Sequence, residues 1–237
     1  MAEDIAALRR GKTAALDGRL SAAASFVREG GILADVGTDH AYLPIYLVSS
    51  GKIASAVASD VSEGPLSRAR EHIASCGLND RISAVLCDGL SGLEHFHPTD
   101  IAICGMGGEL IASILDAAPW VKDPALRLIL QPMTMQPHLR RCLYAGGFAI
   151  EEETLAAANG KIYPIFRAAY TGKTAVLSAP DAYFGGYLLS HRASVPLFPE
   201  YLSEQCSRLR AVRAGKQKAG LPTDTEDALL EAVSPME

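Results

Sequence analysis

The chain has no Cys-x-x-Cys pair. Its five cysteines, Cys76, Cys87, Cys104, Cys142 and Cys206, are odd in number and scattered, which opposes a disulfide framework or a cysteine zinc site and predicts reduced thiols in a cytoplasmic protein. His95 and His97 stand at ligand-like spacing without a third ligand, so no metal is expected. No apolar run is long enough to span a bilayer. The opening MAEDIAALRR carries acids and no apolar h-region, so it is not expected to be a signal peptide. Excess basic charge is missing too: the net charge is −5, which argues against a surface coated for nucleic acid. Repeats and low-complexity tracts are absent, and a monomer is the expectation.

Hydrophobic residues make up 49% of the 237 residues, enough for the core of one large domain, alone or with a small appendage. Leucine and alanine recur at helical spacing around Leu8, Leu16, Leu20, Ala24 and Val27, with Gly30-Gly31 closing the helix. Strand-like and helical runs then alternate. Strands are predicted at 31–37, 53–60, 81–89, 100–108 and 127–132, with helices between them and a further one over 135–146. FAIEEETLAAANG and KIYPIFRAAY meet at Asn-Gly, a strong hairpin signal. The pattern predicts an α/β fold with a mostly parallel sheet, helices on both faces and an antiparallel hairpin at one edge. Residues 1–171 would form the main domain, Thr171–Pro180 a linker, and 181–237 a helical appendage. Within that appendage, Arg208, Arg210, Arg213, Lys216 and Lys218 form a basic stretch with no acid among them. Such a stretch is either a solvated helix face or a local patch for a phosphate backbone.

Open α/β sheets bind ligands beyond the carboxyl ends of their strands. Four predicted strands end there in acids or glycines: Asp35-Val-Gly37, Asp60, Asp88-Gly89 and Gly105-Met106-Gly107-Gly108. The first loop reads GTDHAY, and so lacks the second and third glycines of the dinucleotide fingerprint, which would let backbone approach a pyrophosphate. Asp39 and His40 stand there instead. A carboxylate repels pyrophosphate and suits a cation, and S-adenosylmethionine combines a sulfonium, an amino-acid end and an adenosine without phosphate. Asp60 is then placed for the ribose hydroxyls, and Asp88 for the adenine amino group, with Gly89 leaving room for the ring. Singly, each acid is equally readable as a helix cap or turn residue.

With these residues assembled, the sequence resembles the TrmK family of bacterial tRNA (adenine-N1)-methyltransferases. The likeness runs through RLSAAASFV, LADVGTDHAYLP, ASDVSEGPLSRARE, GLNDRISAVLCDGL, DIAICGMGGELIASIL and LILQPM. It implies a class I S-adenosylmethionine-dependent methyltransferase, a Rossmann-like seven-stranded sheet with a C-terminal coiled-coil-like helical domain, acting on adenosine 22 of tRNA and releasing S-adenosylhomocysteine. The implied cofactor positions are Asp35, Gly37, His40, Asp60, Val61, Asp88, Gly89 and Gly105. CGMGG carries no Asn/Asp-Pro-Pro-Tyr motif of amine methylation, which suits attack by a ring nitrogen.

Adenine N1 has its own lone pair and needs no prior deprotonation, so positioning supplies much of the rate. Asp39 is the candidate catalytic carboxylate for the positive charge that develops on the ring. Tyr42 is a candidate to stack on the base, Met106, Gly107 and Gly108 to border it, and Arg208, Arg210 and Arg213 to hold tRNA. The alternatives are methylation of another RNA or a small molecule, a nicotinamide enzyme, and a non-catalytic RNA-binding module.

Overall fold

A computed structural model describes residues 16–236. Helix α1 (Gly18–Phe26) begins at Asp17, whose carboxylate accepts from the Leu20 amide and so satisfies one of the free N–H groups of the first turn. The helix ends four residues before Gly30, because the backbone is already extended at Val27; the part of the predicted helix around Leu8 lies outside the described residues. The chain then runs β1 (Ile32–Val36), α2 (Tyr42–Ser49), β2 (Ser55–Asp60), α3 (Glu63–Ser75), β3 (Ile82–Leu86), β4 (Asp100–Gly107), α4 (Gly108–Asp116), β5 (Arg127–Thr134), α5 (Gln136–Ala145) and a hairpin, β6 (Phe148–Ala158) with β7 (Lys161–Tyr170). Asn159 and Gly160, both at positive φ, make the hairpin turn, as the Asn-Gly pair predicts.

The sheet order is β3-β2-β1-β4-β5-β7-β6. β1 to β5 are parallel, and β7 pairs antiparallel with both β5 and β6. The strand order reverses between β1 and β4, which opens a crevice at their carboxyl ends. Two apolar clusters fill the two faces of the sheet. One gathers α1, α2 and α3 residues such as Phe26, Leu47 and Ile73; the other gathers Ile111, Leu139 and Phe148 from α4, α5 and β6. Strands buried on both sides explain why IASAVASD and DIAICG carry apolar runs instead of alternating polarity.

The chain after Tyr170 leads into a π-helical turn (Asp181–Gly185), then α6 (Gly186–Ser190), α7 (Phe198–Lys218) and α8 (Asp224–Val233). These helices share a third cluster, which includes Phe184, Phe198, Leu202 and Val233 and takes in Leu155 of β6. A buried ion pair lies at their junction with the sheet. Arg140 of α5 and Glu153 of β6 are each 1% exposed and hydrogen-bonded to one another. The Arg140 guanidinium also donates to the carbonyls of Ala182 and Tyr183 and stacks over Phe166, 4.9 Å from its centroid. Its donors thus tie the π-helical turn to α5. No helix among the described residues is long and apolar enough to cross a membrane.

Candidate active site

The crevice at the strand reversal contains a cavity of about 630 Å³, ample for a nucleoside-sized ligand. Its walls are the β1–α2 loop, the end of β4, the start of α1 and the end of β5. Asp17, Arg19, Asp35, Asp39, Tyr42 and Gly105 supply most of its chemistry.

The β1–α2 loop turns sharply. Gly37, Asp39 and Ala41 all have positive φ, a conformation that costs a non-glycine residue but which aspartate tolerates better than most. At Gly37 the φ of +73° is the restriction; a Cβ there would meet the terminal methyl of Met106, the flexible end of a side chain that can move aside. Asp35, 6% exposed, accepts from the Thr38 hydroxyl at 2.6 Å. Burial pushes its carboxyl up to about 6, with the Thr38 bond pulling the other way. Burial also pushes the Cys104 thiol up, and the neighbouring Asp35 charge adds to the effect. Cys104 is therefore a neutral wall of the site and no thiolate nucleophile.

Asp39 lies at the mouth, 60% exposed, and pairs with Arg68 of α3 at 2.8 Å. Tyr42 stands between two histidines: it stacks on His40 with centroids 5.2 Å apart and meets His72 edge-on at 5.3 Å. His72 Nδ1 in turn binds the His40 carbonyl at 2.8 Å. His40 itself faces Tyr42 and Asp39 and does not line the cavity.

The glycine motif is not a loop. β4 continues through Gly107, with register shifts on either side of Met106 that leave Gly105 bulged, and α4 begins at Gly108. A bulge of this kind re-aims the end of a strand. Gly105 lines the cavity, and Gly107 is half-buried beside the Thr134 hydroxyl. Met106 instead packs beneath Gly37, and Gly108 is buried with no room for a Cβ against the Met135 carbonyl, 2.5 Å away. Neither of these two expected substrate contacts lines the cavity.

Asp60, Val61, Asp88 and Gly89 lie outside the cavity, on the same edge of the sheet. Asp60 pairs in register with Leu86, and Val61 and Leu86 are among the exposed large apolar residues. One oxygen of Asp60 accepts from the Ser62 amide at 2.8 Å, so the turn reading of this acid holds for that oxygen. Asp88 is exposed, and Gly89 packs over Ile114. The ends of β2 and β3 therefore present the acids Asp60 and Asp88 together with the exposed apolar side chains of Val61 and Leu86.

The basic stretch on α7 is partly neutralised by acids from α8. Arg213 pairs with Asp227 at 2.6 Å and Lys216 with Glu226 at 2.8 Å. Arg208 and Arg210 are exposed. Three residues of the site escape the sequence reading: Asp17 and Arg19, which line the cavity, and Gln131, which holds Arg19. Arg19 and Gln131 stand within motifs that carry the family likeness, RLSAAASFV and LILQPM.

A strand reversal of this order, with an acid-lined cavity at the ends of β1 and β4 and an antiparallel hairpin closing the sheet, defines a Rossmann-like methyltransferase domain. The family model described as a methyltransferase domain matches residues 16–166. The chain belongs more narrowly to the tRNA (adenine(22)-N1)-methyltransferase family: it is 33% identical over 233 residues to the Bacillus subtilis (strain 168) protein of that name, covering 92% of this chain and 97% of the relative. Among solved structures, Streptococcus pneumoniae Sp1610 in complex with S-adenosyl-L-methionine is 37% identical, with a TM-score of 0.80 and coverage of 92% of this chain and 99% of that one. The B. subtilis m1A22 tRNA methyltransferase TrmK is 28% identical, with a TM-score of 0.78 and coverage of 94% and 96%.

Proposed function

We propose that this methyltransferase transfers the methyl group of S-adenosylmethionine to N1 of adenosine 22 in tRNA. One observation carries the reading: the β1–α2 turn brings Asp35 and Asp39 to a cavity lacking a glycine-rich phosphate cradle, in a chain of this family. The donor set fits the group. Three carboxylates on the cavity wall, Asp17, Asp35 and Asp39, oppose a phosphate and favour a cation. Bound S-adenosylmethionine supplies an electrophilic methyl carbon to a nucleophile that needs no base.

The residues of the chain do the rest. Burial raises the Asp35 carboxyl to about 6, so it is mostly ionised at neutral pH, and positive charge entering beside it favours the carboxylate further. The second oxygen of Asp60 serves ribose hydroxyls, Asp88 and Gly89 receive adenine, and Val61 and Leu86 cover its faces. Adenine N1 lies on the Watson–Crick edge, so the target base leaves its pairing before it reacts. Tyr42, braced by His40 and His72, offers a ring for that base to stack on. Asp39 balances the charge that methylation places on the base and takes the N6 proton afterwards. To do so it leaves Arg68, and an exposed pair of this kind costs only ~0–1 kcal/mol to open. Residues 181–237 act as an appendage in which the exposed face of α7 around Arg208 and Arg210 meets the phosphate backbone; Arg213, turned to Asp227, organises α7 against α8.

The test is to incubate the purified protein with methyl-labelled S-adenosylmethionine and unmodified bacterial tRNA, digest, and identify the labelled nucleoside. Label in N1-methyladenosine at position 22 is expected. Label at another nucleoside would move the substrate assignment, and cofactor binding without labelled tRNA would direct it to other RNAs or small molecules.

A further inference from the structure

Asp39 lines the cavity and Arg68 does not, so the 2.8 Å ion pair between them spans the rim of the site. Both side chains are exposed, Asp39 at 60% and Arg68 at 49%. A pair in this setting is readily exchanged for another partner. A carboxylate engaged by a guanidinium is not free to face a base that becomes cationic, so the free protein holds Asp39 in a resting arrangement.

The loop that carries Asp39 does not depend on this pair. α3 grips it twice, from positions i and i+4 on one helix face. Arg68 holds the Asp39 side chain, and His72 Nδ1 lies 2.8 Å from the His40 carbonyl. The first bond is exposed and reaches only a side chain; the second is part-buried and reaches backbone. Tyr42 belongs to the anchored half, in ring contact with both His40 and His72. Opening the Arg68 bond therefore leaves the path of the loop and the Tyr42 ring in place.

The surface around Arg68 is open. Gly64, one turn earlier on α3, is exposed, and nothing lies within 4 Å of where its Cβ would sit. Arg70 is already paired with Glu63, which leaves Arg68 as the arginine of α3 at the cavity mouth. A nucleotide whose base enters the cavity carries its own phosphates to this rim. Two phosphate oxygens accept the guanidinium fork as a carboxylate does, and a polyanion adds the gain from released counterions. We propose that Arg68 leaves Asp39 for a backbone phosphate beside the target adenosine, so that arrival of the RNA frees the carboxylate as the base comes into place. The assignment rests on the tRNA reading and adds to it a positioning residue that couples substrate binding to the release of Asp39.

Affinity of the full chain for unmodified tRNA, measured by fluorescence anisotropy with S-adenosylhomocysteine present, tests the exchange in wild type, Asp39→Asn, Arg68→Met and the double variant. Asp39→Asn should tighten tRNA binding by about two- to five-fold, the fold-change that matches an exposed ion pair, because Arg68 no longer has to be released. In the Arg68→Met background the same change should give less than about half of that gain. Arg68→Met alone should weaken tRNA about five-fold and lower the salt slope by about one, with S-adenosylhomocysteine bound within about two-fold of wild type. Arg68→Lys, which keeps the charge and loses the fork, should recover part of the loss. An equal gain from Asp39→Asn in both backgrounds marks plain repulsion of RNA by the carboxylate and overturns the assignment, as does undiminished tRNA affinity in Arg68→Met; both leave the tRNA reading standing. Wild-type protein without affinity for tRNA overturns that reading and the assignment with it.

Discussion

The Thr38 hydroxyl sits 2.6 Å from the Asp35 carboxylate, yet one hydrogen bond does not offset the burial, and the carboxyl is held up at about 6. A raised carboxyl is more protonated in the folded chain than in the unfolded one. It favours the folded state below the unfolded value of about 4 and gives up that contribution as pH rises through the folded value. The difference amounts to about 3 kcal/mol. Urea denaturation of the wild type should therefore lose midpoint stability between about pH 4 and 6.5 relative to Asp35→Asn, which removes this titration. Affinity for a sulfonium ligand should run the other way, tightening over the same range as the carboxylate forms. Identical pH profiles for the two proteins would refute the assignment.

Asp39 is best tested by exchange for asparagine, which accepts the positive φ of 46° as readily as aspartate and keeps the loop intact. Asp39→Asn should bind S-adenosylhomocysteine within about three-fold of wild type while kcat on tRNA falls on the order of a hundred-fold or more. Weakened ligand binding with unchanged turnover would make Asp39 a cofactor residue instead.

At the junction of sheet and C-terminal helices, removal of one partner of the Arg140–Glu153 pair leaves a charge 1% exposed. Glu153→Gln should cost roughly 3–5 kcal/mol of unfolding free energy, whereas the apolar double change Arg140→Met with Glu153→Leu should cost much less. Equal losses for the two proteins would show that the carbonyl contacts of Arg140 with Ala182 and Tyr183 carry the stability.

On α7 the cations divide by their partners. Arg208→Glu should weaken tRNA binding several-fold and reduce the salt slope by about one, with little change in melting temperature. Arg213→Glu faces Asp227 and should lower the melting temperature. An Arg208→Glu protein with undiminished tRNA affinity would remove this face from the RNA interface.

The sheet is legible in the sequence because polar or glycine residues mark where its apolar strands run out: Asp60 closes β2, Asp88 follows β3 by two residues, Asp35 is the last residue but one of β1, and Gly105 bulges near the end of β4. The cavity end of the site is legible for the same reason. Arg19 is not, since its place depends on how α1 packs over the ends of β4, β5 and β7, and nothing in its own neighbourhood points to a ligand. Arg140 and Glu153 look like surface residues of an amphipathic helix and a polar strand. The returning chain covers them, with the turn at 181–185 and with Tyr201 of α7. The basic run on α7 looks uncompensated because the acids that compensate it come after a turn, on α8.

The third apolar cluster has a consequence for the sheet as a material object. β6 is an outer strand, long and flanked by alanines, and an outer strand with free backbone groups invites another chain to add itself. Leu155 of that strand is covered by the C-terminal helices, so those helices keep an apolar side chain of the outer strand out of water. A shortened protein ending near residue 180 would keep every side chain of the cavity, and its handling in solution would be governed by the strand it had uncovered.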